Sequence, residues 1–312
     1  MPDWTTEAIP DQTGRLAIVT GANSGTGFET ALELVRKGAD VILAVRNPAK
    51  GADAVRRMQR AVPAARLRLE PLDLAGQASV AAFAARLLGE GRPIDILVNN
   101  AGVMALPTRE LTPDGFEMQL ATNYLGHFAL TARLLPLLRE GRARLVQLSS
   151  IIHRQGRIRF DDLNHAAQYK PWPVYAESKL AMLMFGLELD RRSAASGWGL
   201  TSVVAHPGYA RTGLIDKGPL AGRPVARALM GLVYRPLVEP LISHSAAAGA
   251  LPILRAATDP AIRGGAFIGP QRMNEMKGPP GPAKAEPHAL DTVAAARLWD
   301  ATETMLGVRF AP

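Results

Sequence analysis

Short apolar runs alternate along the chain with segments that mix apolar and charged positions. Leu16–Thr20, Val41–Val45, Leu67–Leu72, Ile94–Val98, Leu145–Leu148, Ser202–Ala205 and Ala266–Ile268 read as strands, and most are apolar at nearly every position. That pattern belongs to strands covered on both faces. Between them, Glu29–Lys37, Ala52–Ala61, Ala78–Leu88, Phe116–Leu138 and Tyr175–Arg192 read as helices. The alternation predicts an α/β fold: a single Rossmann-type, doubly wound parallel sheet of about seven strands, with helices on both faces and right-handed crossovers. No internal repeat and no linker to a second core is visible, so residues 1–312 are expected to form one domain. Two segments depart from the alternation. Residues 213–242 mix Gly and Pro with apolar side chains and follow a strand end, as a substrate lid would. Residues 270–312 open with a Pro- and Gly-rich stretch and are expected to run over the surface as a C-terminal tail, with a short helix at Thr292–Leu306 capped by Asp291.

The first strand runs into Thr20-Gly21-Ala22-Asn23-Ser24-Gly25-Thr26-Gly27, which opens the first helix. Glycines let the backbone turn sharply and approach a pyrophosphate. The helix N-terminus behind them offers unpaired N–H groups and a partial positive charge. A glycine-rich turn is often only a turn, but this one follows the first strand of a βαβ pattern, where a dinucleotide loop belongs. Gly21, Asn23, Ser24, Gly25, Thr26 and Gly27 are therefore candidate cofactor contacts. The second strand ends in Val45-Arg46-Asn47. An acidic residue there would take the ribose hydroxyls of NAD; a guanidinium suits a 2′-phosphate instead, which favours NADP(H). Arg46 and Asn47 join the candidate set, although a surface Arg is the simpler alternative.

Composition narrows the chemistry. The 312 residues contain no Cys, which removes disulfides, Cys nucleophiles, thiolate zinc and Cys-ligated iron–sulfur clusters. The six His show no paired ligand spacing, so no metal site is expected. Net charge is +8. With aromatics at 5% and no helix-turn-helix or RNA-binding signature, that charge does not argue for nucleic acid. Met1–Gly14 lacks a basic segment followed by an apolar one, and no 18-residue uncharged apolar run appears. No leader and no transmembrane segment is expected, and a cytoplasmic location fits.

Taken together, the pieces resemble the short-chain dehydrogenase/reductase family in its NADP-preferring branch. They are Thr20–Gly27; Asp73-Leu74; Asn99-Asn100-Ala101-Gly102; Ser149-Ser150; Tyr175-Ala176-Glu177-Ser178-Lys179; and His206-Pro207-Gly208 with Thr212. Ser150 precedes Tyr175 by 25 residues. That gap, the run Ser149–Gly156, Phe160-Asp161-Asp162-Leu163 and Leu298-Trp299-Asp300 resemble the retinol dehydrogenase-like branch, which also holds WW-domain oxidoreductases. The resemblance implies that Asp73 and Leu74 meet the adenine, that Asn100, Ala101 and Gly102 line the adenosine side, and that Pro207, Gly208 and Thr212 lie near the nicotinamide. It implies a homodimer or homotetramer. Thr26 departs from the aliphatic residue usual there; its hydroxyl could reach a phosphate or cap the helix.

Of five Tyr, only Tyr175 has a Lys four residues on. On a helix the two share a face. An ammonium beside a phenol lowers its pKa from about 10 toward the useful range. The same pair is compatible with a helix surface, and the nucleotide loop upstream favours the cleft. The expected reaction is hydride transfer between nicotinamide and a carbonyl or alcohol carbon, with Tyr175 as general acid/base and Lys179 on the ribose. The resemblance adds Ser150 on the substrate oxygen, preferred over its neighbour Ser149, and Asn123 organising a water that connects Lys179 to solvent. Leu214, Ile215, Leu220, Leu229, Met230, Leu232, Val233, Leu237 and Leu241 in the lid suggest a small apolar carbonyl or alcohol substrate, though core packing explains many of them equally well. A non-catalytic NADP(H)-binding sensor on the same fold is the competing reading; the intact Asn123, Ser150, Tyr175 and Lys179 argue against it.

Overall fold

The structure, a computed structural model, describes residues 3–210 and 243–310. The 213–242 segment and Thr212 lie outside the described residues.

Eight strands form one sheet in the order β3-β2-β1-β4-β5-β6-β7-β8. They are β1 Leu16–Thr20, β2 Asp40–Val45, β3 Leu67–Pro71, β4 Ile96–Asn99, β5 Arg144–Leu148, β6 Thr201–Ala205, β7 Phe267–Arg272 and β8 Lys277–Pro282. All pairings are parallel except β7 with β8. Strand order reverses at β1: the connections leaving β1 and β4 run to opposite faces of the sheet, and the C-terminal edge between them is the ligand position in doubly wound sheets.

The central strands are fully buried because side chains of alternate residues enter two different cores. Leu16, Ile18, Ile42, Ala44 and Leu97 face one layer; Ala17, Val19, Val41, Leu43, Ile96 and Val98 face the other. The first layer is covered by α3 (Gln77–Glu90), α5 (Gly126–Glu140), α6 (Pro171–Ser196) and α8 (Thr292–Leu306); the second by α1 (Gly25–Arg36), α2 (Pro48–Ala61) and α7 (Ala246–Thr258). The expected single helix over Phe116–Leu138 is instead a three-residue turn α4 (Met118–Leu120), a π-helical turn Ala121–Leu125, and α5. A π-turn inserts one residue into the helical ladder and is frequent at functional sites.

The expected surface tail is corrected. Arg272 and Lys277 pair across a tight turn, and Ile268 pairs with Pro282, so the stretch is a hairpin that extends the sheet by one antiparallel edge strand. Proline is tolerated there because an edge strand leaves one side of its backbone unpaired. The helix at Thr292–Leu306 is also no surface element: Leu298 and Trp299 are buried, and Asp291 caps it by accepting from the Val293 and Ala294 amides. Helix α7 escaped the sequence reading because Gly249 and Pro252 interrupt its pattern. Gly249 lies where a Cβ would fall 3.1 Å from Thr26 Cγ2, so the glycine lets α7 lie against the start of α1.

Candidate active site

The glycine loop is held by the turn after β4. The Thr20 hydroxyl accepts from the Asn100 and Ala101 amides, both at 2.9 Å. Asn100 Nδ2 donates to the Thr20 carbonyl at 2.8 Å. Gly21, with φ of +68°, sits 3.0 Å (as an added Cβ) from the Ala101 Cα. A Cβ on Gly27 would overlap Asn100 Nδ2 and lie 2.8 Å from the Gly21 carbonyl oxygen. Ser24 precedes α1 without a side-chain cap, and the first turn holds no acidic residue, so its amide dipole is uncompensated there. Thr26 does not cap the helix with its side chain. Its buried hydroxyl donates to Asn100 Oδ1 at 2.9 Å, bracing the loop. Asn23 stands in the same turn between Gly21 and Gly25.

Helix α6 carries Tyr175 and Lys179 on one face, behind β5. Both are buried. The Lys179 ammonium donates to the Leu148 carbonyl at 2.9 Å. Burial brings its pKa down to about 8. Burial also pushes the Tyr175 phenol up to about 12, opposed by a hydrogen bond with Ser150. The expectation of a lowered phenol pKa is therefore corrected: loss of solvent around the phenolate outweighs the neighbours that favour it. Ser149 and Ser150 are now distinct. The Ser149 hydroxyl is buried and donates to the Lys179 carbonyl at 2.7 Å, whereas Ser150 faces Tyr175 and caps the short helix Ile151–Gln155 with a loose 3.4 Å contact to Ile152 N. Trp172, half exposed, stands edge-on to Tyr175 at 6.2 Å between ring centres.

Asn123 lies in the π-turn. Its Oδ1 accepts from Val103 N at 2.8 Å, and its Nδ2 donates to the Val103 carbonyl and to Ser178 Oγ, both at 2.9 Å. Gly102 permits this convergence, since a Cβ there would lie 3.0 Å from Asn123 Oδ1 and 3.5 Å from Lys179 Nζ. The side chain thus ties the β4 loop to α6.

Comparison with known proteins agrees with this layout. Residues 15–218 match the short chain dehydrogenase family. Polyprenol dehydrogenase of Mus musculus is 38% identical over 304 residues, covering 95% of this chain and 85% of that protein. Retinol dehydrogenase 13 of Homo sapiens is 38% identical over 297 residues, covering 95% and 85%. The crystal structure of an uncharacterized protein from Mycobacterium Paratuberculosis superimposes with a TM-score of 0.80 at 38% identity, each chain covered completely. The chain belongs to the short-chain dehydrogenase family. Within it, the chain falls in the retinol dehydrogenase-like branch of these oxidoreductases, which work with nicotinamide cofactors.

The remaining residues expected to meet the cofactor lie just past the C-terminal ends of β2, β3 and β6. Arg46 is exposed just past β2, and no acidic group pairs with it among the described residues. Asn47 beside it caps α2, its Oδ1 accepting from Lys50 N at 3.0 Å. Asp73 closes the turn after β3, its Oδ1 accepting from Ala75 N. Leu74 is buried, with its carbonyl against Gly126. Pro207 and Gly208 follow β6, and Gly208, with φ of +64°, donates to His206 Nδ1 at 3.2 Å.

One feature was missed in the sequence. His127 is fully buried, and burial holds it neutral, down to about 3. Its Nδ1 faces the Asn123 carbonyl at 3.2 Å and so carries the proton; its Nε2 then accepts from the Thr20 hydroxyl at 3.0 Å. One imidazole thereby connects the glycine loop, the β4 turn and the π-turn. Its spacing of one helical turn from Asn123 was the available signal. His153 is buried and hydrogen-bonds the Ser150 carbonyl at 2.8 Å within the loop. Among the described residues, no helix is long and apolar enough to cross a membrane.

Proposed function

We propose that this dehydrogenase is an NADP(H)-dependent oxidoreductase that moves a hydride between the nicotinamide and the carbonyl or alcohol carbon of an apolar substrate, with Tyr175 as general acid/base. The observation that carries the reading is the buried Tyr175 phenol beside Ser150, with buried Lys179 one turn along α6 and its ammonium against the β5 end and the Gly102 loop. The crevice fits a dinucleotide: uncapped α1 amides and Gly21, Gly25 and Gly27 for the pyrophosphate, Asp73, Leu74 and Asn100 to Gly102 on the adenosine side, Pro207 and Gly208 at the other end. Arg46 at the β2 end, with no acidic partner among the described residues, suits a 2′-phosphate, which is the ground for NADP(H) over NAD.

Bound there, the nicotinamide supplies or accepts the hydride. Ser150 hydrogen-bonds the substrate oxygen and fixes its distance from Tyr175. In reduction the phenol gives its proton to that oxygen as the C–H bond forms; in oxidation the phenolate takes it back. A phenol with its pKa near 12 is protonated at neutral pH, the form reduction starts from. Lys179 holds the ribose hydroxyls and keeps positive charge near the phenolate that each turnover creates. Asn123 keeps the β4 loop against α6, so that Lys179 and Tyr175 share one frame. Trp172 offers an aromatic wall at the mouth, and the named substrates of the relatives, retinol and polyprenol, are both apolar alcohols.

Tyr175→Phe tests the reading. Turnover should fall at least ~100-fold, the contribution of general acid catalysis, with NADPH affinity nearly unchanged. Activity above a tenth of wild type removes Tyr175 from the role. Arg46→Asp should lower the NADPH-to-NADH preference by about 10- to 100-fold, the range for one charge-assisted contact; an unchanged ratio removes the NADP assignment.

A further inference from the structure

The turn between β7 and β8 is Met273-Asn274-Glu275-Met276, and its first three residues are left-handed, with φ of +52°, +52° and +67°. None is glycine. Such a conformation is unfavourable for each side chain and persists where surrounding contacts over-determine it. Those contacts converge on Glu275. Its Oε2 accepts from His206 Nε2 and pairs with the Arg154 guanidinium, both at 3.0 Å, and its Oε1 accepts from Lys284 N at 2.9 Å. Asn274 Oδ1 accepts from Arg154 at 3.2 Å. The next carbonyl, of Met276, accepts from Tyr209 N at 2.8 Å and lies where a Cβ on Gly208 would collide with it.

The two partners of Glu275 belong to different walls of the site. His206 is fully buried at the end of β6. With its Nε2 proton given to Glu275, its Nδ1 is left as the acceptor for the Gly208 amide. Arg154 sits in the short helix whose first residue is capped by Ser150. One carboxylate therefore reaches the loop of Pro207 and Gly208 through His206, and the turn of Ser150 through Arg154.

We infer that Glu275 is a positioning residue, a latch that clamps the Gly208 loop and the Ser150 turn at a fixed separation and so shapes the nicotinamide end of the cofactor crevice. The inference rests on the cofactor reading above. It gives the strained hairpin a function and makes it act on one half of the dinucleotide only. Glu275 lies beyond the reach of the adenosine side, where Asp73, Leu74 and Arg46 belong to other strands.

The test is calorimetric titration of the full-length chain with NADPH and with 2′,5′-ADP, which carries the adenosine half and the 2′-phosphate but no nicotinamide. Glu275→Ala should weaken NADPH about tenfold and leave 2′,5′-ADP within twofold of wild type. Glu275→Gln keeps the shape and the acceptor for His206 but loses the charge, so its NADPH affinity should fall about threefold, again with 2′,5′-ADP unchanged; it carries the same split should the Ala variant not fold. A general loss of structure would weaken both ligands together, and that result overturns the latch, as does NADPH binding at wild-type strength. A wild-type chain that binds neither ligand overturns the cofactor reading, and the latch with it.

Discussion

Ser149 and Ser150 are neighbours in sequence with opposite predicted consequences of losing a hydroxyl. Ser149 Oγ donates to the Lys179 carbonyl at 2.7 Å, with both partners buried. Ser149→Ala removes a second donor from a carbonyl that keeps its place in the α6 ladder, at a cost of about 0.5–1.5 kcal/mol. For a domain of this size that lowers Tm by roughly 1–3 °C. The Lys179 ammonium is held separately, through the Leu148 carbonyl, so turnover should fall less than about fivefold, a shift of ~1 kcal/mol in the barrier. Ser150 has the reverse balance. Among the described residues, the Ser150 hydroxyl has, besides its contact with Tyr175, only the weak 3.4 Å cap of Ile152 N, so Ser150→Ala should change stability by less than about 1 kcal/mol. Removing a donor from the reacting oxygen costs about 100- to 1000-fold in kcat. Thermal melting and NADPH oxidation on one aldehyde, measured on both variants, give a crossed pattern. Should Ser149→Ala lose as much turnover as Ser150→Ala, the division of labour between the two hydroxyls is wrong.

Three further outcomes follow from the geometry. Gly27→Ala places a methyl against Asn100 Nδ2 and the Gly21 carbonyl; a stability loss of about 1–3 kcal/mol and weakened NADPH binding are expected in melting and titration, and a silent substitution would contradict the packing. Lys179→Met should be inactive yet more stable at pH 7, by about 1–3 kcal/mol, because burial lowers the Lys179 pKa to about 8. The unfolded chain keeps that proton to about 10.5, so wild-type stability rises with pH from 8 to 10.5 and the gain shrinks there; urea unfolding at pH 7 and pH 10 checks both signs. In acid, His127 and His153 stay neutral down to about 3 and about 4, while the unfolded chain takes up protons near 6.5. Their contribution is complete above 6.5 and is lost as pH falls through 4, several kcal/mol in total. His165, held down to about 4, and His206, also lowered by burial, add to this, while Glu177, pushed up to about 7 by burial, opposes it between 4.5 and 7, with Glu29, Glu117 and Asp190 raised in the same direction; urea midpoints that rise on acidification from pH 6.5 to 4.5 would reverse the reasoning.

The sheet was legible because buried parallel strands leave continuous apolar runs, and β1 is read to the residue. Helix starts were legible less well: α1 begins at Gly25, a turn before its first charged residue, because the glycine loop itself supplies the first turn. The π-turn was invisible, since one inserted residue leaves the apolar pattern of Ala121–Leu125 helical on both sides. The hairpin at β7–β8 was misread because proline and glycine, usual signs of an irregular surface, are also compatible with an edge strand. Tyr175, Lys179 and the glycines were found by local spacing. Glu275, Arg154 and His206 have no such spacing; they meet only after β6 and β7 pair, so only the folded chain brings them together.

Phe128, Phe185, Trp299 and Phe310 meet in one aromatic cluster, with ring centres 4.4–6.3 Å apart, and the Tyr124 hydroxyl bonds Thr302 across 178 positions of sequence. During synthesis, β1 to β5 and their helices leave the ribosome well before Trp299 and Phe310 exist. At about 5–20 residues per second, Phe128 and Phe185 wait on the order of ten seconds for their cover. Through that interval the nascent chain shows a bare aromatic face to the cell, a surface suited to a chaperone. The last helix therefore sets when the chain becomes safe to release, independently of the chemistry at the other end of the sheet.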